Sequence, residues 1–407
     1  MLSKEKNELL CRVATGTPMA NTLRENFWIP VAISSKLIAD GKPIPIRVFG
    51  EDFVAFRATD GRVGIFDERC PHRGASLLLA RNEDNALRCI YHGFKFSVTG
   101  QTVEVPTEPR NPEAFCRSVP LHHYPVREAA GVIWVWLGRS QMKQFPEFEW
   151  TKVPANQVYA TKQTLRCNWL QNVEGGMDSA HVSILHQSWL GQPGTTPTFV
   201  TDDLAPVYEI DQFEGGFRYA AIRTTKAGKY IRVSQFIMPW YCFVPPRDFP
   251  HGDRLVLMST PVDDTHVTYW NVVYNPYKPL TPSFQVPAED PDNFPPATMG
   301  GREEAWGQDR GAMARGHFSG FPHLNTEDFA VAESQGPIAD RSIEFLNAGD
   351  RAVVQLRRQL LDLVEGTQRL GEAAAFPHDK IDYGRIRAYA DVRADSSTWR
   401  NLLVEAA

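Results

Sequence analysis

Two pairs of metal-type residues stand out in this chain of 407 residues. Cys70-Pro71-His72 is followed, after sixteen residues, by Cys89-Ile90-Tyr91-His92. Two cysteines and two histidines in close pairs point to metal. Structural zinc usually takes ligand pairs separated by about two to four residues. One residue separates Cys70 from His72, so both reach a single tetrahedral ion only awkwardly. The spacing suits two irons, with Cys70 and Cys89 on one and His72 and His92 on the other. That is a [2Fe–2S] cluster with mixed ligands. Arg73-Gly74-Ala75 and Gly93 supply small or flexible residues where backbone N–H groups must approach bridging sulfides. A zinc ribbon, in a non-catalytic interaction protein, is the bland alternative. The colour of the purified protein separates the two, because a zinc protein is colourless.

A second constellation follows in Asn168-Trp169-Leu170-Gln171-Asn172-Val173-Glu174-Gly175-Gly176-Met177-Asp178-Ser179-Ala180-His181, which leads on to His186. Read as one helix over 168–186, at about 100° per residue, His181 lies about 60° to one side of Asp178 and His186 about 80° to the other. An ideal helix would not converge both histidines on one ion, so a bend eased by Gly175-Gly176 is expected. Two histidines and one carboxylate with open positions form the facial triad of non-haem Fe(II) oxygenases. An isolated pair of this kind is more often two ordinary helix residues; beside the first constellation that balance reverses. The carboxylate must come from elsewhere, and spacing leaves Asp309, Glu327, Asp328, Glu333 and Asp340 open.

The surrounding elements have to place these groups. The length favours two domains. Hydrophobic content is 43%, charged content 22% and formal net charge −5. That balance offers no basic surface for nucleic acid. No stretch reaches the roughly 20 apolar residues of a membrane span. The start, MLSKEKNELL, lacks an apolar signal core, and a cytoplasmic location is expected. Residues 3–26 read as helical. Short apolar runs and the Asp60-Gly61 turn read as a small all-β region. Strand-like runs return at 217–223, 230–238, 255–261 and 265–274. Helices are predicted near 302–314, 326–334 and 350–364, the last with Asp350 as N-cap and a buried stripe of Val353, Val354, Leu356, Leu360 and Leu361. The fold class is α+β. The expected divisions are a helical segment at 1–27, a cluster domain at 28–140, a linker at 141–160, a catalytic domain at 161–375 and a tail at 376–407. Cys11, Cys116, Cys167 and Cys242 read as buried free thiols.

CPHRGASLLLARNEDNALRCIYHGFKF resembles the Rieske segment of aromatic-ring-hydroxylating oxygenases. Phe94 stands where many relatives carry Trp. Asn325-Thr326-Glu327-Asp328-Phe329-Ala330-Val331-Ala332-Glu333-Ser334-Gln335-Gly336-Pro337-Ile338-Ala339-Asp340-Arg341-Ser342 is similar to the late segment of the phthalate-dioxygenase-type branch, as is the Glu-Gly-x-x-Asp-x-x-His form around Asp178. The resemblance runs nearly end to end. It implies an N-terminal all-β Rieske domain followed by a helix-grip-like α+β catalytic domain with an antiparallel sheet. It implies Asp328 as the carboxylate ligand beside His181 and His186, leaving Glu327 as a solvent-facing helix-start charge. It also implies head-to-tail homotrimers or stacked trimers without a β subunit. In them Asp178 bridges His92 of one chain to His181 of the next and carries the electron between subunits.

The resemblance implies a small aromatic acid as substrate, with O2 and a separate NAD(P)H-dependent flavin and iron–sulfur reductase. The chain lacks a Gly-x-Gly-x-x-Gly fingerprint of its own. A carboxylate substrate calls for an arginine in an apolar pocket. Arg223 and Arg232, on predicted strands, are the candidates, although strand-surface arginines are the commoner case. Attack on an aromatic carboxylate by cis-dihydroxylation or angular oxygenation is the leading reading. O-demethylation of a methoxylated aromatic acid would use the same metal ligands. A pure electron carrier would need only the first domain, and oxygen consumption with substrate and reductant separates it from an oxygenase.

Overall fold

The computed structural model describes all residues except 1, 193–197, 247–251, 284–285, 287–289, 372–375, 395–398, 401 and 403–407. The expected helix over 3–26 is two helices, Lys4–Cys11 and Pro18–Asn26. Thr17 accepts from Ala20 N–H, and Pro18 begins the second helix. A proline lacks the N–H needed to continue the first helix but fits the first turn of a new one. Between them, the Val13 and Ala14 N–H groups donate to Asp264 at 2.7 and 3.0 Å.

Three small antiparallel sheets follow. Ile29–Ile33 pairs with Val132–Val135, which pairs with Val126–Ala129. Ile44–Val48, Glu51–Arg57 and Val63–Asp67 form a meander turning at Asp60-Gly61. Arg81–Glu83, Ala86–Arg88, Lys95–Ser97 and Thr102–Glu104 form the third. A short helix, Pro112–Ser118, interrupts this β region.

The larger sheet is antiparallel and eight-stranded. Its order runs Val158–Leu165, Val267–Tyr274, Arg254–Pro261, Tyr241–Val244, Gly228–Ile237, Gly216–Thr225, Val207–Phe213. The eighth strand, Tyr389–Arg393, pairs with Gly228–Ile237. The segment expected as a tail therefore completes the sheet; residue 375, at its expected boundary, lies outside the described residues. The expected linker also belongs to the core. Phe145, Phe148 and Trp150 are buried, and Phe148 packs on Trp150 and Tyr241. No helix among the described residues is long and apolar enough to cross a membrane.

The long helix Arg351–Leu370 departs from expectation in two details. Asp350 holds the expected N-cap position but makes no side-chain capping bond; its carboxylate turns back to accept from Asn347 N–H. Val354 is exposed, and Val353, Leu356, Leu360 and Leu361 carry the buried stripe with Val364.

A buried ion network fixes this helix against Trp169–Met177. Glu174 accepts from Arg341 Nε at 2.9 Å and Arg357 Nε at 2.7 Å. Arg357 also pairs with Glu344 at 2.6 Å, and Arg341 reaches Asn7 of the first helix at 3.1 Å. Burial alone would raise the Glu174 pKa, but Arg341 and Arg357 outweigh it and hold it below the usual carboxylate range. A lowered folded-state pKa stabilises the protein above the unfolded value of about 4.3 and loses that contribution as pH falls through the folded value. Removing one partner strands buried charge. Glu174→Gln should therefore cost about 3–5 kcal/mol at pH 7. Unfolding measurements on both proteins should show a gap that is constant above about pH 5 and narrows only as pH falls below about 4; a gap independent of pH would contradict this account.

Candidate metal centres

Cys70 and Cys89 occupy equivalent turns. Gly74 N–H donates to Cys70 O at 2.9 Å, and Gly93 N–H to Cys89 O at 3.0 Å. Both glycines are left-handed, with φ of 69° and 77°. At Gly93 a Cβ would also lie 2.6 Å from Pro106 Cγ, so only glycine fits this turn unchanged. The cysteines are buried at the base of the loops, among Leu77, Leu87 and Phe96. The two imidazoles stand further out, 4.5 Å apart by centroid. Phe94 stacks on His72 at 4.5 Å and 6°, filling its place as an apolar plate.

His92 Nδ1 is buried and has no hydrogen-bond partner. An orphaned buried ring nitrogen is costly unless a metal takes its lone pair. Two buried sulfurs and two imidazoles further out would hold a [2Fe–2S] cluster with mixed ligands, which would supply one-electron chemistry there. Among the described residues, the one set of at least three His, Cys, Asp or Glu ligand atoms lying within 4.8 Å of one another is His181, His186 and Asp328. The Cys/His quartet does not converge in that way, as expected for ligands divided between two irons.

The second centre depends on where a helix stops. Trp169–Met177 ends at Asp178, which is extended at φ −86° and ψ 124°. Gly175 and Gly176 remain helical, so the expected bend at that pair does not occur. Asp178 Oδ1 instead accepts from Ala180 N–H at 2.7 Å. Such a local bond competes with the helix ladder. A single 3₁₀ turn, His181–Ser183, follows. Once the helix is broken, the angular separation of the histidines no longer applies. Their Nε2 atoms lie 3.2 Å apart. Two nitrogens each about 2.1 Å from one ion, at a right angle, would be about 3 Å apart. Asp328 Oδ1, from helix Leu324–Ser334, completes the set at 3.1 Å from His186 Nε2 and 3.5 Å from His181 Nε2. Two imidazole nitrogens and one carboxylate oxygen fit a facial-triad Fe(II) site.

The electrostatics favour a cation there. Burial alone would raise the Asp328 pKa, but His186 and then His181 hold it low. Burial alone would favour neutral His186, yet Asp328 and Glu327 push its pKa up to about 10. Asp178 is likewise held low, with His181 opposing the effect of burial. Its Oδ2 lies 3.3 Å from His181 Nδ1.

Glu327 is not solvent-facing. It is fully buried, with Oε2 2.6 Å from His186 Nδ1. Sequence spacing carries no sign of this, because Glu327 and Asp328 meet His186 only through the tertiary fold. The other open carboxylates lie elsewhere. Asp309 caps Arg310–Ala314, Glu333 pairs with Arg166, and Asp340 binds Ser342.

Arg223 and Arg232 are both buried, not strand-surface residues. Arg223 braces the metal-bearing loop, donating to Ser179 O at 2.7 Å, Ser183 Oγ at 3.1 Å and Asp203 O at 3.2 Å. Arg232 lies opposite Ala221 in one neighbouring strand and Ala390 in the other. Directly opposed residues share a sheet face. Arg223 pairs with Tyr230 and Tyr219 with Ser234 on that same face, and Tyr219 donates to Met177 O. Arg232 thus faces the side of the sheet that carries the metal loop. Its Nε is buried without a hydrogen-bond partner.

Comparison with known proteins shows the family. A Rieske [2Fe-2S] domain family model matches residues 27–125, and a LigXa C-terminal domain-like model matches 135–407. The chain is 36% identical to the phthalate 4,5-dioxygenase oxygenase subunit of Pseudomonas putida, over 98% of this chain and 94% of that one. It is 33% identical to the 3-chlorobenzoate-3,4-dioxygenase oxygenase subunit of Comamonas testosteroni, over 91% and 90%. In fold it is similar to NdmA of Pseudomonas putida CBB5 with caffeine, with TM-score 0.64 at 21% identity, over 94% of this chain and 100% of that one. The chain therefore belongs to the Rieske non-haem iron aromatic-ring-hydroxylating oxygenases, as an oxygenase subunit of the phthalate 4,5-dioxygenase-like branch with a [2Fe–2S] cluster and a mononuclear iron.

Proposed function

We propose that this chain is the terminal oxygenase of a multicomponent system that hydroxylates an aromatic monocarboxylate, with O2 and electrons from a separate NAD(P)H-dependent flavin and iron–sulfur reductase. When bound, the cluster carries single electrons and the mononuclear iron activates dioxygen. The ligands are Cys70, His72, Cys89 and His92 for the cluster, and His181, His186 and Asp328 for the iron.

Arg232 carries the substrate reading. Tyr230 and Ala390 pack with Val200, and Val182 and Leu190 of the metal-bearing segment border the same cluster. That is an apolar wall beside Arg232, whose Nε lacks a hydrogen-bond partner. A flat apolar ring with one carboxylate matches it: the ring covers the wall and the carboxylate accepts from Arg232. Arg223 is already committed to the loop, so its role here is to hold His181 in place.

Asp178 serves as the electron bridge. Its side chain is 28% exposed, so it is reachable from outside. His92 Nδ1 is buried while the residue as a whole is half-buried, which leaves Nε2 as the ring nitrogen to meet a partner. In a head-to-tail homotrimer, alone or stacked in pairs and without a β subunit, Asp178 accepts from His92 of a second copy while holding His181. A carboxylate can accept from both rings; an amide cannot do so without presenting a donor. The location is cytoplasmic.

Three measurements test this reading. Oxygen uptake across benzoate, phthalate, phenoxybenzoate and methoxybenzoate types, with product identification, should yield a dihydrodiol or an angular oxygenation product from an acid. A phenol plus formaldehyde would mark O-demethylation instead. Arg232→Gln should lower kcat/KM for the acid by about 10- to 100-fold, the size expected for a lost charged hydrogen bond, while uncharged analogues change little. An unchanged KM for the acid would remove Arg232 from the substrate site. Asp178→Asn should keep both iron centres and lose turnover by about 10- to 100-fold; full activity would sink the bridge.

A further inference from the structure

Adjacent residues of one helix hold His186 at both ring nitrogens. Asp328 Oδ1 stands 3.1 Å from Nε2, and Glu327 Oε2 stands 2.6 Å from Nδ1. An ionised carboxylate can only accept, so Nδ1 carries the hydrogen and Nε2 keeps its lone pair for the metal. The other oxygen of Glu327 accepts from Trp189 Nε1 at 3.1 Å and from Ser319 Oγ. Glu327 is fully buried, and among the described residues its only ion-pair partner is His186. A buried carboxylate without a lysine or arginine is costly unless several donors and a nearby cation support it. Three donors are in place, and the metal position beyond His186 supplies the cation.

The two ligand histidines are thus served differently. The carboxylate behind His181 is Asp178, part-exposed and 3.3 Å away. The carboxylate behind His186 is sealed in the interior and closer. We infer that Glu327 is a positioning residue of the mononuclear site, locking the tautomer and ring plane of His186 and strengthening it as a donor to iron. This deepens the proposed function and rests on His186 being an iron ligand. An outer carboxylate on a ligating imidazole has this effect in metal sites generally.

The test uses the protein with its cluster in place and its mononuclear iron removed, titrated with Fe(II). Cluster absorbance reports that the fold is intact. Glu327→Ala should weaken Fe(II) binding by about 10- to 100-fold. Glu327→Gln keeps an acceptor for His186 but loses the charge, so its loss should be smaller. In both variants the electron paramagnetic resonance signal of the iron–nitric oxide adduct should change shape, which a merely structural defect would not cause in the iron-loaded fraction. Wild-type affinity and an unchanged signal in both variants would overturn the inference. Should Glu327→Ala fail to fold, the near-isosteric Glu327→Gln decides by the same two readouts. His186→Ala is the control for the ligand set. If it still binds Fe(II) like wild type, the triad itself is wrong and this inference falls with it.

Discussion

Asp178 ends a helix with its own side chain, and the geometry of the mononuclear site depends on that break. While Trp169–Met177 runs as a helix, it carries Glu174 to its partners. Had it continued, His181 and His186 would diverge. By accepting from Ala180 N–H, Asp178 frees the next residues to fold into a 3₁₀ turn that brings both Nε2 atoms together. The same carboxylate then lies behind His181. One side chain therefore shapes the backbone and supports a ligand.

Around that turn, buried charges are treated in opposite ways. Glu174, Arg341, Arg357 and Glu344 neutralise one another and tie the metal-bearing helix to the long helix and the N-terminal segment. Arg223 spends its donors on the loop itself. Arg232 alone of these guanidiniums leaves Nε unsatisfied. Pairing is the usual condition for burying charge, and the substrate role proposed for Arg232 rests on that contrast.

The cluster end was largely legible in the amino-acid order. Its four candidate ligands lie on two short turns, and each turn is made by local rules: a cysteine, a histidine and a left-handed glycine. The Asp60-Gly61 hairpin and the strands at 217–223, 230–238, 255–261 and 265–274 were equally readable, because strand periodicity and turn chemistry are local. The helix break at Asp178 was not. An aspartate inside an apolar-periodic stretch reads as a helix residue until its neighbours' contacts are known. The stretches 141–160 and 376–407 hide their packing for a related reason. Polar, proline-containing stretches resemble connections, yet Phe148, Trp150 and Tyr389 bury their rings in the core.

The sequence by itself determined which atoms could bind metal: Cys70, His72, Cys89, His92, His181, His186 and a choice among later carboxylates. Residue type sets ligand chemistry, and close spacing sets which ligands can share a loop. Only the tertiary structure decided how the rest are used. It brought Asp328 and Glu327 to opposite nitrogens of one imidazole across 141 residues of chain. It separated Arg223 from Arg232, two arginines on paired strands that look alike in sequence. Burial and hydrogen-bond partners come from elements distant in the chain, so neither distinction is written in any local pattern.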